Sequence, residues 1–145
     1  MTILLTDQSI TLESVSKYSS NNAGGVSIFL GTTRAEKRDD GIELAALDYD
    51  AYHEMAIEQM NKLASDALKR WPIESLTLLH RVGRVEVGQA SVLICVACPH
   101  RNQSFEACRF LIDELKKSVA IWKKEVWGDG TTWWKDEMNS ISSDG

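Results

Sequence analysis

No apolar run in this 145-residue chain approaches the roughly 20 residues that a membrane-crossing helix needs, so no membrane span is expected. A surplus of positive charge is missing too. Lysine and arginine total 16 against 21 aspartates and glutamates, a formal −5 at pH 7. That balance argues against general nucleic-acid binding, whose affinity comes from a basic surface neutralising phosphates. A local basic pocket survives the sum, because its lining sets its sign. Cysteine is scarce: Cys95, Cys98 and Cys108 suit a reducing compartment better than a disulfide framework. Histidine is equally thin. His53, His80 and His100 are scattered, with no His-x-x-x-His and no acidic partner at ligand spacing, so no metal is expected. Met1 to Leu5 is too short for the apolar segment of a signal peptide, and polar residues follow it. The expected setting is the cytosol.

What is present fits one domain over residues 1–138, with a polar, flexible tail at 139–145. A short strand near Ile3–Leu5 and a helix around Leu12–Tyr18 begin the chain. After Gly24-Gly25, the alternation of Val26, Ile28 and Leu30 with Ser27, Phe29 and Gly31 predicts a strand to Thr32. A charged loop from Arg34 to Gly41 leads into a second strand, Ile42 to about Tyr52. Ala56, Met60, Leu63, Ala64, Ala67 and Trp71 recur at three- and four-residue steps, predicting a helix from Glu54 to Trp71 that Pro72 stops. Ile73–Val82 reads as a strand, followed by a loop with Gly83 and Gly88. The near-continuous apolar run Ala90–Cys98 predicts a central strand covered on both faces. A helix over Asn102–Ser118 follows, with Asn102 as its N-cap and Glu106 in its first turn. Gly128-Asp129-Gly130 then joins two strands as a C-terminal β-hairpin. The order predicts an α+β fold, a sheet with helices packed on it.

The chemistry concentrates between Pro99 and Glu125. His100-Arg101 stands where a buried strand meets a helix N-terminus, a place that favours anions. Lys116 continues the Cys108–Ile112 row at the border of the apolar face and can reach a partly desolvated site. Lys117 continues Arg109–Asp113, a solvated ion-pair row. Strand alternation sends Lys123 and Lys124 to opposite faces without saying which face matters. The same rule points Cys95 and Cys98 to opposite faces, so their C-x-x-C spacing builds neither a metal nor a redox pair. His80-Arg81 is expected at a sheet rim in a structural role, and the Arg34–Gly41 loop as a solvated basic segment. These residues alone support an anion site drawn from some of Arg34, His100, Arg101, Lys116 and Lys123.

Four segments resemble the large, catalytic subunit family of molybdopterin synthase: GGVSIFLGTTR ending at Arg34, LDYDAYHEMA ending at Ala56, RWPIESLTLLHRVG ending at Gly83, and the stretch from His100 to Glu125. The resemblance runs from about Gly24 to Trp134 in the family's order and spacing. It implies an α/β-hammerhead fold and a homodimer. It also implies a heterotetramer with two copies of a small ubiquitin-like sulfur carrier. The carrier's C-terminal Gly-Gly tail, ending in a thiocarboxylate, would deliver sulfur to cyclic pyranopterin monophosphate to make the molybdopterin dithiolene. No cofactor is implied for this subunit. By family position Lys116 and Lys123 would be catalytic, while Arg34, His100 and Arg101 would bind substrate and Phe29 would line the pocket. Ala120 stands where the family commonly has proline, and Asn102-Gln103 where it often has small residues. An arginine that some members carry near Glu137, reaching the neighbouring protomer, has only Lys135 close to it here.

Overall fold

A computed structural model of the protein describes residues 1–15 and 21–135. The tail at 139–145, Glu137, and the part of the expected first helix beyond Val15 lie outside the described residues. Among the described residues, eight strands and two long helices follow one another in the order β1 (Thr2–Thr6), β2 (Gly25–Thr32), β3 (Leu44–Ala51), α1 (His53–Arg70), β4 (Ser75–Arg81), β5 (Gly83–Glu86), β6 (Ala90–Cys98), α2 (Arg101–Ser118), β7 (Ile121–Trp127) and β8 (Thr132–Lys135). Leu12–Val15 forms a short 3-10 turn. The α+β class is as expected, but the strands form two sheets where one was expected. The first has the order β1-β4-β6-β2 and the second β5-β3-β7-β8. β1 and β4 run parallel; every other pairing is antiparallel.

Residue chemistry explains the layering. All nine residues of β6 are buried. Its Val92, Ile94, Val96 and Cys98 meet the apolar stripes of α1 and α2, including Met60 and Leu111. Leu93 and Cys95 fill a second cluster on the opposite face with Ile10 and Leu79. Cys95 and Cys98 therefore do point to opposite faces, and all three thiols are free and buried.

Three local expectations are corrected. The loop after Val82 is partly strand: Gly83 sits in the left-handed region at φ 89°, and Arg84, Val85 and Glu86 then pair with β3. Helix α2 starts at Arg101, with His100 as its cap residue and no side-chain cap bond, so Asn102 lies inside the helix. Glu106 falls beyond the first turn and lies instead 3.4 Å from Trp71 Nε1, which donates to it. Among the described residues, no helix is long and apolar enough to cross a membrane.

Candidate functional site

Where α2 runs out over the first sheet, the second sheet closes a cavity of about 370 Å³. Its lining comes from β2 and the loop after it, β3, β4, the start of β6, the last turns of α2, and β7. Lys116 enters from α2 because Leu111 and Leu115 bury the neighbouring stripe, leaving Ile112 and Lys116 half-buried at its border. Lys117 turns outward on the exposed row of Arg109 and Asp113, its side chain 56% exposed, with its ammonium 3.9 Å from Glu114. Helical phase separates the two lysines as the sequence implied.

The choice left open on β7 is resolved by burial. Lys123 is 8% exposed and lines the cavity, while Lys124 lies on the other face with its ammonium 5.0 Å above the Trp134 ring. The same alternation brings Glu125, 7% exposed, into the cavity beside Lys123. A buried carboxylate two residues from a buried ammonium offsets part of the cost of desolvating both. Phe29 also lines the cavity. Glycine at position 31 makes room for that ring, since a Cβ there would meet Phe29 at 3.2 Å and Val92 at 2.5 Å.

Arg34 stands at the rim, exposed, with Glu36 at 3.7 Å. The loop it heads is more than a solvated basic segment. Arg38 donates to Asp40 and Asp129 at 2.7 and 3.1 Å and to Thr131 at 3.0 Å. Its guanidinium lies 5.2 Å from the Trp127 ring centroid and 5.7 Å from that of Trp133. Bonds from Thr131 and Arg38 hold the Asp129 carboxyl down at about 2. The loop carrying Arg34 is thus tied to the β7–β8 turn.

His100 and Arg101 are elsewhere. Both are exposed at the N-terminal end of α2, and neither lines the cavity. Fifteen helical steps separate Arg101 from Lys116, a rise of about 22 Å. One copy of the chain therefore brings Arg34, Lys116, Lys123 and Phe29 together and leaves His100 and Arg101 apart.

The cavity also holds residues that the sequence does not single out for it, Glu125, His80 and Tyr49 among them. Glu125 was findable from its two-residue offset from Lys123. His80 was placed at a rim, yet it is only 5% exposed and lines the cavity. It shares a face of β4 with Leu76 and Leu78, a parity that could have located it. Burial first, and then Lys123 and Lys116, push its pKa down to about 4. Tyr49 meets it edge-on, with ring centroids 5.1 Å apart. No cysteine lines the cavity, and burial pushes the Cys108 thiol up to about 11. Among the described residues, no group of three or more histidine, cysteine or acidic side chains is arranged to hold a metal ion.

Comparison with known proteins agrees on one family. The MoaE protein family matches residues 5–118. A Pyrococcus abyssi molybdopterin synthase catalytic subunit is 42% identical over 121 residues, covering 83% of this chain and 80% of that protein. An Aedes aegypti molybdopterin synthase catalytic subunit is 46% identical over 118 residues, covering 79% and 75%. The crystal structure of molybdopterin synthase from Staphylococcus aureus superposes with a TM-score of 0.83 at 28% identity, covering 91% of this chain and 95% of that one.

Proposed function

The chain belongs to the MoaE family of molybdopterin synthase catalytic subunits, and from that premise we propose how its cavity performs sulfur transfer. The protein is a sulfurtransferase of molybdenum cofactor biosynthesis. The carrying observation is a cavity that holds two lysines and no thiol. Sulfur must then arrive on a partner, in our reading the C-terminal thiocarboxylate of a small ubiquitin-like carrier. Its acceptor is cyclic pyranopterin monophosphate. Both are anions, and fixed cations in a desolvated cavity stabilise them far better than water-exposed ones would.

Lys116 meets the carrier terminus and Lys123 assists as the second catalytic amine, each able to hold or move a proton as sulfur attacks the substrate. Arg34 at the rim receives the phosphate, and Phe29 walls the pocket. Carbon–sulfur bonds form as carbon–oxygen bonds of the substrate break, with opening of the cyclic phosphate. Water then cleaves the acyl–sulfur bond and releases the spent carrier as an ordinary carboxylate, and a second carrier supplies the second sulfur of the dithiolene. His100 and Arg101 join this site as the contribution of a second copy, since about 22 Å separates them from Lys116 in their own chain. That arrangement calls for a homodimer, with one carrier for each copy. Three buried free thiols fit a reducing cytosolic setting, and residues 1–138 act as one domain.

The test mixes the full chain, thiocarboxylated carrier and cyclic pyranopterin monophosphate, with the dithiolene product followed by mass spectrometry. Lys116→Ala should slow turnover by about 100-fold or more, the scale of a lost acid–base group. Lys117→Ala should leave it nearly unchanged. A folded complex that makes no product would sink the proposal.

A further inference from the structure

Arg38 stands outside the cavity, yet it secures the loop that supplies the cavity's rim. Its guanidinium forks onto the Asp40 carboxylate at 3.1 and 2.7 Å, and donates also to Asp129 at 3.1 Å and Thr131 at 3.0 Å. It lies over the Trp127 and Trp133 rings, and its side chain is only 18% exposed. Gly41, at φ 89°, turns the loop so that the Arg38 N–H reaches the Ile42 carbonyl at 2.9 Å, and Leu44 donates to the Glu36 carbonyl at 2.8 Å. At the near end, the Thr33 N–H donates to the Gln89 carbonyl at 3.0 Å, and the Thr33 carbonyl accepts from Gly88 at 2.8 Å. Arg34 and Glu36, the charged residues of this loop that line the cavity, lie between the two anchors. The far anchor closes on the turn that ends β7, the strand that brings Lys123 into the same cavity.

We propose that Arg38 is a positioning residue for substrate binding: its clasp onto Asp129 and Thr131 holds the Arg34 rim over the cavity, where the phosphate is received. Arginine suits the task because its planar fork binds several oxygens in fixed directions, which a lysine ammonium does not. This role rests on the reading of Arg34 as the phosphate-binding residue.

The test uses the full chain with saturating thiocarboxylated carrier and follows single-turnover product formation against the concentration of cyclic pyranopterin monophosphate. Arg38→Met should raise the half-saturating concentration about 10-fold, the scale of one charged hydrogen bond, and leave the limiting rate near the wild-type value. Arg38→Lys should do nearly the same, since charge alone does not make the fork. Asp129→Asn opens the clasp from its far side and should shift the same parameter in the same direction. Arg84→Met, which removes a 2.7 Å ion pair with Glu86 elsewhere on the surface, should change nothing. The decisive arm is a double-mutant cycle. In an Arg34→Ala background, Arg38→Met should have no further effect on half-saturation, because the residue it positions is gone. A purely structural tie would act equally with and without Arg34. That result, or wild-type half-saturation in Arg38→Met, would overturn the proposal. Hydrogen exchange supplies a readout free of kinetics: amides at 35–44 should exchange faster in Arg38→Met while those of α2 hold, and unchanged exchange would also overturn it. If Arg34→Ala alone binds substrate as the wild type does, or the wild-type complex yields no product, the phosphate reading of the rim falls. The task given to Arg38 falls with it, while exchange still reports whether the clasp holds the loop.

Discussion

His80 shows how one buried side chain ties stability to the site. Its pKa of about 4 in the folded protein lies below the ordinary 6.5. Between those values the unfolded chain binds a proton that the native one refuses, so stability rises with pH across that window. The contribution is complete above 6.5, is lost as pH falls toward 4, and then levels off. The full drop corresponds to at most about 3 kcal/mol. Urea melts at pH 7 and pH 5 should therefore show a larger acid loss in the wild type than in His80→Gln, which cannot titrate there. The surface carboxylates of Asp40, Glu86 and Asp129 are common to both proteins and cancel in the comparison. Equal losses would mean that the imidazole is not held neutral.

At the scale of elements, the packing of β2 against α2 governs where the helix and its lysine sit. Gly24 donates its N–H to Cys98 at 3.0 Å, and a Cβ on it would come within 2.4 Å of the Pro99 carbonyl oxygen. On Gly25 a Cβ would lie 2.7 Å from the Arg101 Cα. Backbone atoms cannot swing aside as a side chain can. Gly25→Ala should destabilise the protein by about 1–3 kcal/mol, read as a lower urea midpoint with an unchanged slope; an unchanged midpoint would mean that the contact is slack. Such contacts explain what the sequence does and does not disclose. Helix α1 was legible because its apolar stripe is periodic and Pro72 ends it, and β6 because burial on both faces demands an unbroken apolar run. Strand β5 was not, since Arg84 and Glu86 face outward and Val85 alone is buried. The division into two sheets was hidden for a different reason. Alternation tells which face a residue takes, whereas pairing of β3 with β7 joins distant segments through backbone bonds common to every sequence. The site was legible where phase decides, at Lys116 against Lys117. It was obscure where a lone histidine gains meaning only from the helix and strand that converge on it.

Over the whole molecule the candidate site residues divide between two places. Lys116, Lys123 and Arg34 gather at one end of α2, and His100 and Arg101 occupy the other, about 22 Å away. If both groups serve one substrate, each complete site must draw on two copies of the chain, and a two-fold dimer would then contain two such composite sites. Mixed dimers can reveal this. Lys116→Ala and Arg101→Ala should each be inactive or nearly so as pure dimers. In a dimer with one copy of each, the cavity of the Arg101→Ala copy retains Lys116 and receives Arg101 from the other copy, so one intact site forms. The opposite site carries both defects. Random mixing in equal amounts should therefore restore about a quarter of the wild-type activity, because half the dimers are mixed and each holds one good site of two. Were both groups used within one copy, no pairing could rebuild a site, and the mixture would be no more active than its parents. Turnover of the remixed subunits, compared with each variant alone at the same total concentration, decides between the two.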